Sequence, residues 1–80
     1  MYLHLGGDVV LRYADIIGIF DMDHASVSRR TRDFLACSQK AGDVVSVSEE
    51  LPKSFVVASA KGRTTVFLTQ ISSATLRRRM

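Results

Sequence analysis

The sequence predicts a small α+β domain: a mainly antiparallel, twisted sheet of about six strands packed on one amphipathic helix, with a short helix at the C-terminus. Three observations carry that expectation. Short runs of apolar, β-branched and aromatic residues alternate with glycine-bearing turns, as at Gly6-Gly7 and in Ser59-Ala60-Lys61-Gly62-Arg63. One stretch, from Ser26 to Ala41, changes to a helical period. The 80 residues suit a single domain spanning 1–80, without internal repeat, linker or low-complexity segment.

The elements follow in order. Tyr2 to Leu5 is short and apolar-rich, and Gly6-Gly7 supplies the positive φ that a tight hairpin turn needs before a return strand from Val9 to Tyr13. Ile16-Ile17-Gly18-Ile19-Phe20 is nearly continuous in apolar character, the pattern of a central strand covered on both faces. Gly18 inside it predicts a bulge or a close backbone approach. The polar stretch from Asp21 to Ser26 ends that strand. A helix is expected to start at Ser26 or Ser28 and to stop near Ala41, with Gly42 as its left-handed cap. At about 100° per residue, Val27, Thr31, Phe34, Leu35, Ser38 and Ala41 share one side, so Phe34 is expected to be buried against the sheet. Arg29, Arg32, Asp33 and Lys40 lie on the opposite arc, and Arg30 sits at the boundary. Val44 to Ser48 alternates as a half-buried strand does, and Glu49-Glu50-Leu51-Pro52 breaks the pattern. Ser54 to Ala58 and Thr64 to Leu68 form a second hairpin with Gly62 at its tip. In Ile71-Ser72-Ser73-Ala74-Thr75-Leu76-Arg77-Arg78-Arg79 a serine can cap a short helix whose far end carries arginines.

Composition narrows the function classes. Hydrophobic residues make up 46% and charged residues 24%, which indicates a folded chain rather than a disordered one. No apolar run approaches the roughly 18 residues that cross a bilayer, and the start lacks the pattern of a signal peptide. One cysteine, Cys37, cannot form an internal disulfide. A cytoplasmic location without a membrane partner is expected. The net charge of +3 conceals an asymmetry: all eight acidic residues fall before Leu51, whereas six of the eleven basic ones follow it. Such an imbalance suits an anionic partner.

Enzyme chemistry finds little purchase. His4 and His24 lie on different elements, and Cys37 sits on the helix in neither a ligand spacing nor a nucleophile turn. It reads as a small apolar filler. Asp21-x-Asp23-His24 lacks the glycine turn and downstream glutamate of a calcium loop. Gly6-Gly7 is followed by no phosphate-loop lysine. No catalytic residue, metal, cofactor or small-molecule substrate is expected.

Nucleic-acid binding has better candidates. Ser28-Arg29-Arg30-Thr31-Arg32-Asp33-Phe34-Leu35 sets three arginines at a helix start, where the helix dipole disfavours cations. They spread over about 160° of the helix, with Asp33 beside them and Asp21 and Asp23 just before, which describes a solvated, partly neutralised face rather than a recognition helix. Lys53, Lys61 and Arg63 lie in the half of the chain, residues 51–80, that holds no acidic residue, and are the first candidates for contacts to double-stranded DNA. Arg29, Arg30 and Arg32 come next. Arg77, Arg78 and Arg79 are open between helix capping and a solvated tail. No aromatic residues interleave with these cations, so a single-strand stacking surface is not expected. The rival reading is an oligomeric interaction or scaffold protein without DNA contact. Either reading includes self-association, because the core is thin and apolar strands at sheet edges invite pairing.

Four stretches together resemble the Rem family of bacterial extracellular matrix regulators, most of all its RemB branch: Met1 to Val10, Thr31 to Leu35, Leu51 to Val57 and Ile71 to Arg79. The resemblance covers nearly the whole chain. It implies a cytoplasmic transcriptional regulator of biofilm matrix genes. The RemA branch implies a DNA-binding activator that forms ring-shaped homo-oligomers with an arginine-bearing surface. The chain departs from that branch just ahead of the fifth strand, where Glu49-Glu50-Leu51-Pro52-Lys53-Ser54 offers Lys53 in place of an arginine cluster.

Overall fold

The computed structural model describes residues 1–22 and 29–80. The expected helix start at Ser26 or Ser28, Val27 of its inner face, and Asp23 and His24 therefore lie outside the described residues. β1 (Tyr2–Gly6) and β2 (Val9–Arg12) form an antiparallel hairpin. Gly6 and Gly7 turn it with φ of +104° and +54°, values that L side chains resist. Leu3 and Leu5 are buried while Tyr2 and His4 are exposed, the period-two alternation of a strand with one wet face. A 3-10 turn (Tyr13–Asp15) leads to β3 (Ile16–Asp21).

α1 (Arg29–Lys40) ends as the glycine requires. Asp43 N–H reaches the Ser38 carbonyl at 2.9 Å, Gly42 N–H reaches that of Gln39 at 3.1 Å, and Gly42 has φ +77°. This pair of bonds around a left-handed residue is the Schellman closure. β4 (Val44–Ser46), β5 (Ser54–Ala60) and β6 (Arg63–Thr69) follow, with Lys61 and Gly62 both at positive φ in the two-residue turn between the last two. α2 (Ser73–Arg79) starts at Ser72, whose hydroxyl accepts from Thr75 N–H.

Among the described residues the six strands divide between two sheets, the β1–β2 hairpin and a four-stranded sheet of order β3-β5-β6-β4. Its pairings are antiparallel except for β4 beside β6. β5, not β3, is the central strand buried on both faces, from Ser54 to Ala58. One face, with Ile19 and Val56, packs under Leu3 and Leu5 of the hairpin and Leu76 of α2. The other, with Phe55, Val57 and Val66, is covered by Leu35 of α1 together with Met22, Val44 and Leu68. Two buried hydroxyls tie the layers together: Thr69 donates to the Leu5 carbonyl and Ser54 to the Ile71 carbonyl, each at 2.6 Å.

Two expectations are corrected here. The Ile16–Phe20 run is an edge strand covered on one face only: Ile19 is buried, whereas Ile17 is 63% and Phe20 42% exposed. Gly18 does mark a bulge, since the register slips between Ile16 and Gly18. Phe34 is 40% exposed rather than buried. The inward stripe of α1 runs through Thr31, Leu35 and Ser38, and with two polar members it is only half buried. α1 leans on β4 and β6, and between its Phe34 side and β3 a groove remains over Phe55 and Val57.

Candidate nucleic-acid interface

The β5–β6 turn presents Lys61 and Arg63 at one end of the sheet, both exposed. Lys61 holds a φ of +54° that a non-glycine residue adopts at some cost, and it projects from the tip of the hairpin. Arg63 is not uncompensated, as its sequence neighbourhood predicts. Its Nε and Nη2 donate to Asp43 Oδ1 at 3.0 and 2.8 Å. The Schellman turn after α1 delivers Asp43 to the start of β4, where its carbonyl accepts from Val66 N–H at 2.8 Å and its carboxylate meets the arginine.

Lys53 lies at the other end of β5. Its main chain is pinned by bonds to Thr69 and Met22, while its side chain faces solvent. The seven residues of β5 lie between it and Lys61, a span of roughly 26 Å at about 3.3 Å per residue step. The three first candidates therefore do not form one patch.

Arg29, Arg30 and Arg32 are among the first four described residues of α1, and all three are exposed. Among the described residues no ion pair joins them to Asp33 or to any other carboxylate. Arg30 differs from the other two. With Thr31 and Phe34 it lines a groove of about 420 Å³ whose other walls are Ile17, Phe20, Phe55, Val57 and Thr64. The groove thus brings Arg30, Thr31 and Phe34 of α1 near Thr64 of β6. Cys37, expected as a filler, is exposed on α1.

The C-terminal arginines hold the fold together. Arg77 Nη2 donates to the Ile19 carbonyl at 2.7 Å, and Arg79 Nη1 to the His4 carbonyl at 3.4 Å. Arg78 reaches Thr75 Oγ1 on its own helix, and the Tyr13 hydroxyl donates to the Arg79 carbonyl at 2.6 Å. These long-range bonds clamp α2 over the first hairpin and β3. Arg12 is likewise engaged: its guanidinium makes two bonds to the Asp15 carboxylate, at 2.9 and 3.0 Å, and that contact raises its pKa above the ordinary value. The cations without an ion pair or hydrogen bond among the described residues thus include Lys53, Lys61, Arg29, Arg30 and Arg32. No group of His, Cys, Asp and Glu side chains among the described residues could hold a metal ion.

No family model matches the chain. It is 40% identical over 79 residues to the extracellular matrix regulatory protein B of Bacillus subtilis (strain 168), a match covering 99% of this chain and 89% of the relative. The chain belongs to the extracellular matrix regulatory protein B family. This agrees with the Rem resemblance of its four sequence stretches, and the relative is named as a regulator rather than as an enzyme. No helix among the described residues is long and apolar enough to cross a membrane. For a member of the matrix regulatory protein B family, the long-range partners matter most to the charge reading. Asp43 and Arg63 are twenty residues apart, and Arg77 and Ile19 are fifty-eight apart. Only the Gly42 cap, which fixes where Asp43 emerges, hinted at the first of these pairs.

Proposed function

We propose that this chain is a transcriptional regulator of bacterial extracellular matrix genes. It binds double-stranded DNA through phosphate-directed basic side chains, repeated around a ring-like homo-oligomer. The observation that carries this reading is the set of exposed cations, Arg29 and Arg32 on the outward arc of α1 and Lys61 at the hairpin tip, that no carboxylate among the described residues pairs with. Arg63 adds to the tip at reduced strength because Asp43 shares its charge. Lys53 contacts the duplex separately, from the far end of the sheet, and Arg30 borders the surface from the groove. The regulatory name of the 40% identical relative supports the biological class.

A single copy with these few cations binds duplex weakly, since non-specific affinities are about 10⁻⁴–10⁻⁶ M at physiological salt. Repetition around an oligomer lets one bent duplex engage several copies, and avidity raises the affinity. No helix among the described residues is patterned to enter a groove, so sequence preference comes from how readily the duplex bends. A gel-shift titration with random and matrix-promoter duplexes at two salt concentrations tests this. Retardation of both at low salt, with the promoter retained longer, is expected. No retardation of any duplex at low salt makes the protein an oligomeric scaffold instead, a reading favoured by the Asp43–Arg63 pair that subtracts one cation from the tip.

A further inference from the structure

The groove between α1 and β3 and an exposed leucine are complementary. The groove beside α1 has Phe55 and Val57 as its floor and Ile17, Phe20 and Phe34 as its walls, all apolar, with Arg30 at the rim. In the loop between β4 and β5, Leu51 is 88% exposed and so does not reach the groove of its own chain. Glu49 and Glu50 stand just before it and Pro52 just after.

The loop is braced for display. Ser48 Oγ accepts from Glu50 N–H at 3.2 Å and donates to Gln70 Oε1 at 3.3 Å, and Gln70 Nε2 donates to the Glu50 carboxylate. A brace of this kind lowers the ordering entropy of any contact that Leu51 makes. Glu49 has no ion pair among the described residues, and neither has Arg30.

We propose that Leu51 of one copy seats in the Ile17–Phe20–Phe34 groove of a second copy, with Glu49 against Arg30. This rests on the self-association in the function proposed above and identifies the surfaces that carry it. An apolar side chain preceded by acids fits an apolar groove rimmed by a cation, and both halves lie on this chain. Because knob and groove are different patches, the contact is head-to-tail and each copy offers one of each to the next. Direct strand pairing at the open edge of β3 is disfavoured, because the Gly18 bulge bends that edge and the Arg77 guanidinium occupies the Ile19 carbonyl. At this edge of the sheet, side chains rather than backbone then carry the association.

Sedimentation velocity without DNA tests the contact. Wild type is expected at several times 8.8 kDa. Leu51→Asp and Ile17→Asp, both at exposed positions that leave the fold intact by circular dichroism, are each expected to shift it to the monomer mass. Arg30→Glu and Glu49→Arg singly weaken association at least tenfold, and combined they restore it. If wild type is oligomeric and either Leu51→Asp or Ile17→Asp leaves the mass unchanged, the contact is wrong while self-association stands. Failure of the combined charge swap to restore the mass also overturns it. If wild type itself sediments as a monomer, both this contact and the oligomeric reading fall, and the groove belongs to a partner of another sequence.

Discussion

Truncating Leu76 tests the layered packing at its tightest point. Leu76 is 0% exposed and is surrounded by Leu3, Leu5, Ile19 and Val56, so Leu76→Ala removes packed atoms that rigid neighbours cannot replace. Leucine-to-alanine changes in such sites cost about 2–5 kcal/mol, and a value of about 3 kcal/mol is reasonable here. A domain of this length holds about 4–12 kcal/mol in total, so the loss is a quarter or more of its stability. With about 4–8 °C of Tm per kcal/mol in a small domain, Tm should fall by about 12–24 °C. Phe34→Ala is the control from the other face. Because Phe34 is 40% exposed, only part of the roughly 1.5–3 kcal/mol available from burying such a side chain is at stake, about 1–2 kcal/mol. Urea and thermal unfolding at one fixed protein concentration, chosen because association itself shifts Tm, give both values. Equal losses in the two variants, or a larger one at Phe34, would refute the argument that the hairpin and α2 side holds the principal core.

Three further outcomes follow from individual contacts. Arg77→Ala removes a charge-assisted bond from the edge of β3 and should cost about 1–2 kcal/mol, with faster amide exchange in β3 and α2; a change below about half a kcal/mol would make the clamp ornamental. Asp43→Asn releases the charge of Arg63 at little cost to stability, below about 1 kcal/mol for an exposed pair. Its duplex affinity should rise and its salt slope steepen, and a weaker affinity would place Arg63 outside the DNA surface. At Gly18 an added Cβ meets the Phe20 ring at 2.7 and 2.8 Å, so Gly18→Ala must swing that ring off Phe55, on which it stacks at 5.1 Å. A cost of about 1–2 kcal/mol is expected by urea unfolding, and an unchanged midpoint would mean that Phe20 repacks freely.

What the sequence made legible was local. The turns at Gly6-Gly7 and Lys61-Gly62, the Gly42 cap, the Ser72 cap and the Gly18 bulge all depend on residues within a few positions of one another. Strand order does not, which is why Ile16–Phe20 reads as a central strand although pairing with β5 alone leaves it at an edge. Its outward apolar residues, Ile17 and Phe20, line the groove beside α1 rather than the core. Phe34 illustrates the same limit: of the expected inner arc, Thr31, Leu35 and Ser38 are half-buried while Phe34 and Ala41 are exposed, because where the helix docks across the sheet depends on β4 and β6. Among the candidate cations, exposure of Lys61 and the α1 arginines follows from turn and helix patterns. The pairing of Arg63 with Asp43 and the clamp formed by Arg77 and Arg79 join residues twenty to seventy-five positions apart, and local charge patterning holds no trace of them.

The central claim is that repeated phosphate contacts, with the hairpin tip among them, carry DNA binding. Fluorescence anisotropy of a labelled duplex, titrated with wild type and with the Lys61→Ala/Arg63→Ala double variant across a salt series, tests it most directly. Wild type should lose affinity steeply, with log K falling by about 0.9 per log unit of salt for each phosphate contacted. The double variant should show a flatter slope and weaker binding to every sequence alike, while its sedimentation mass stays that of wild type. A wild-type affinity independent of salt, or a double variant whose slope matches wild type, contradicts the claim.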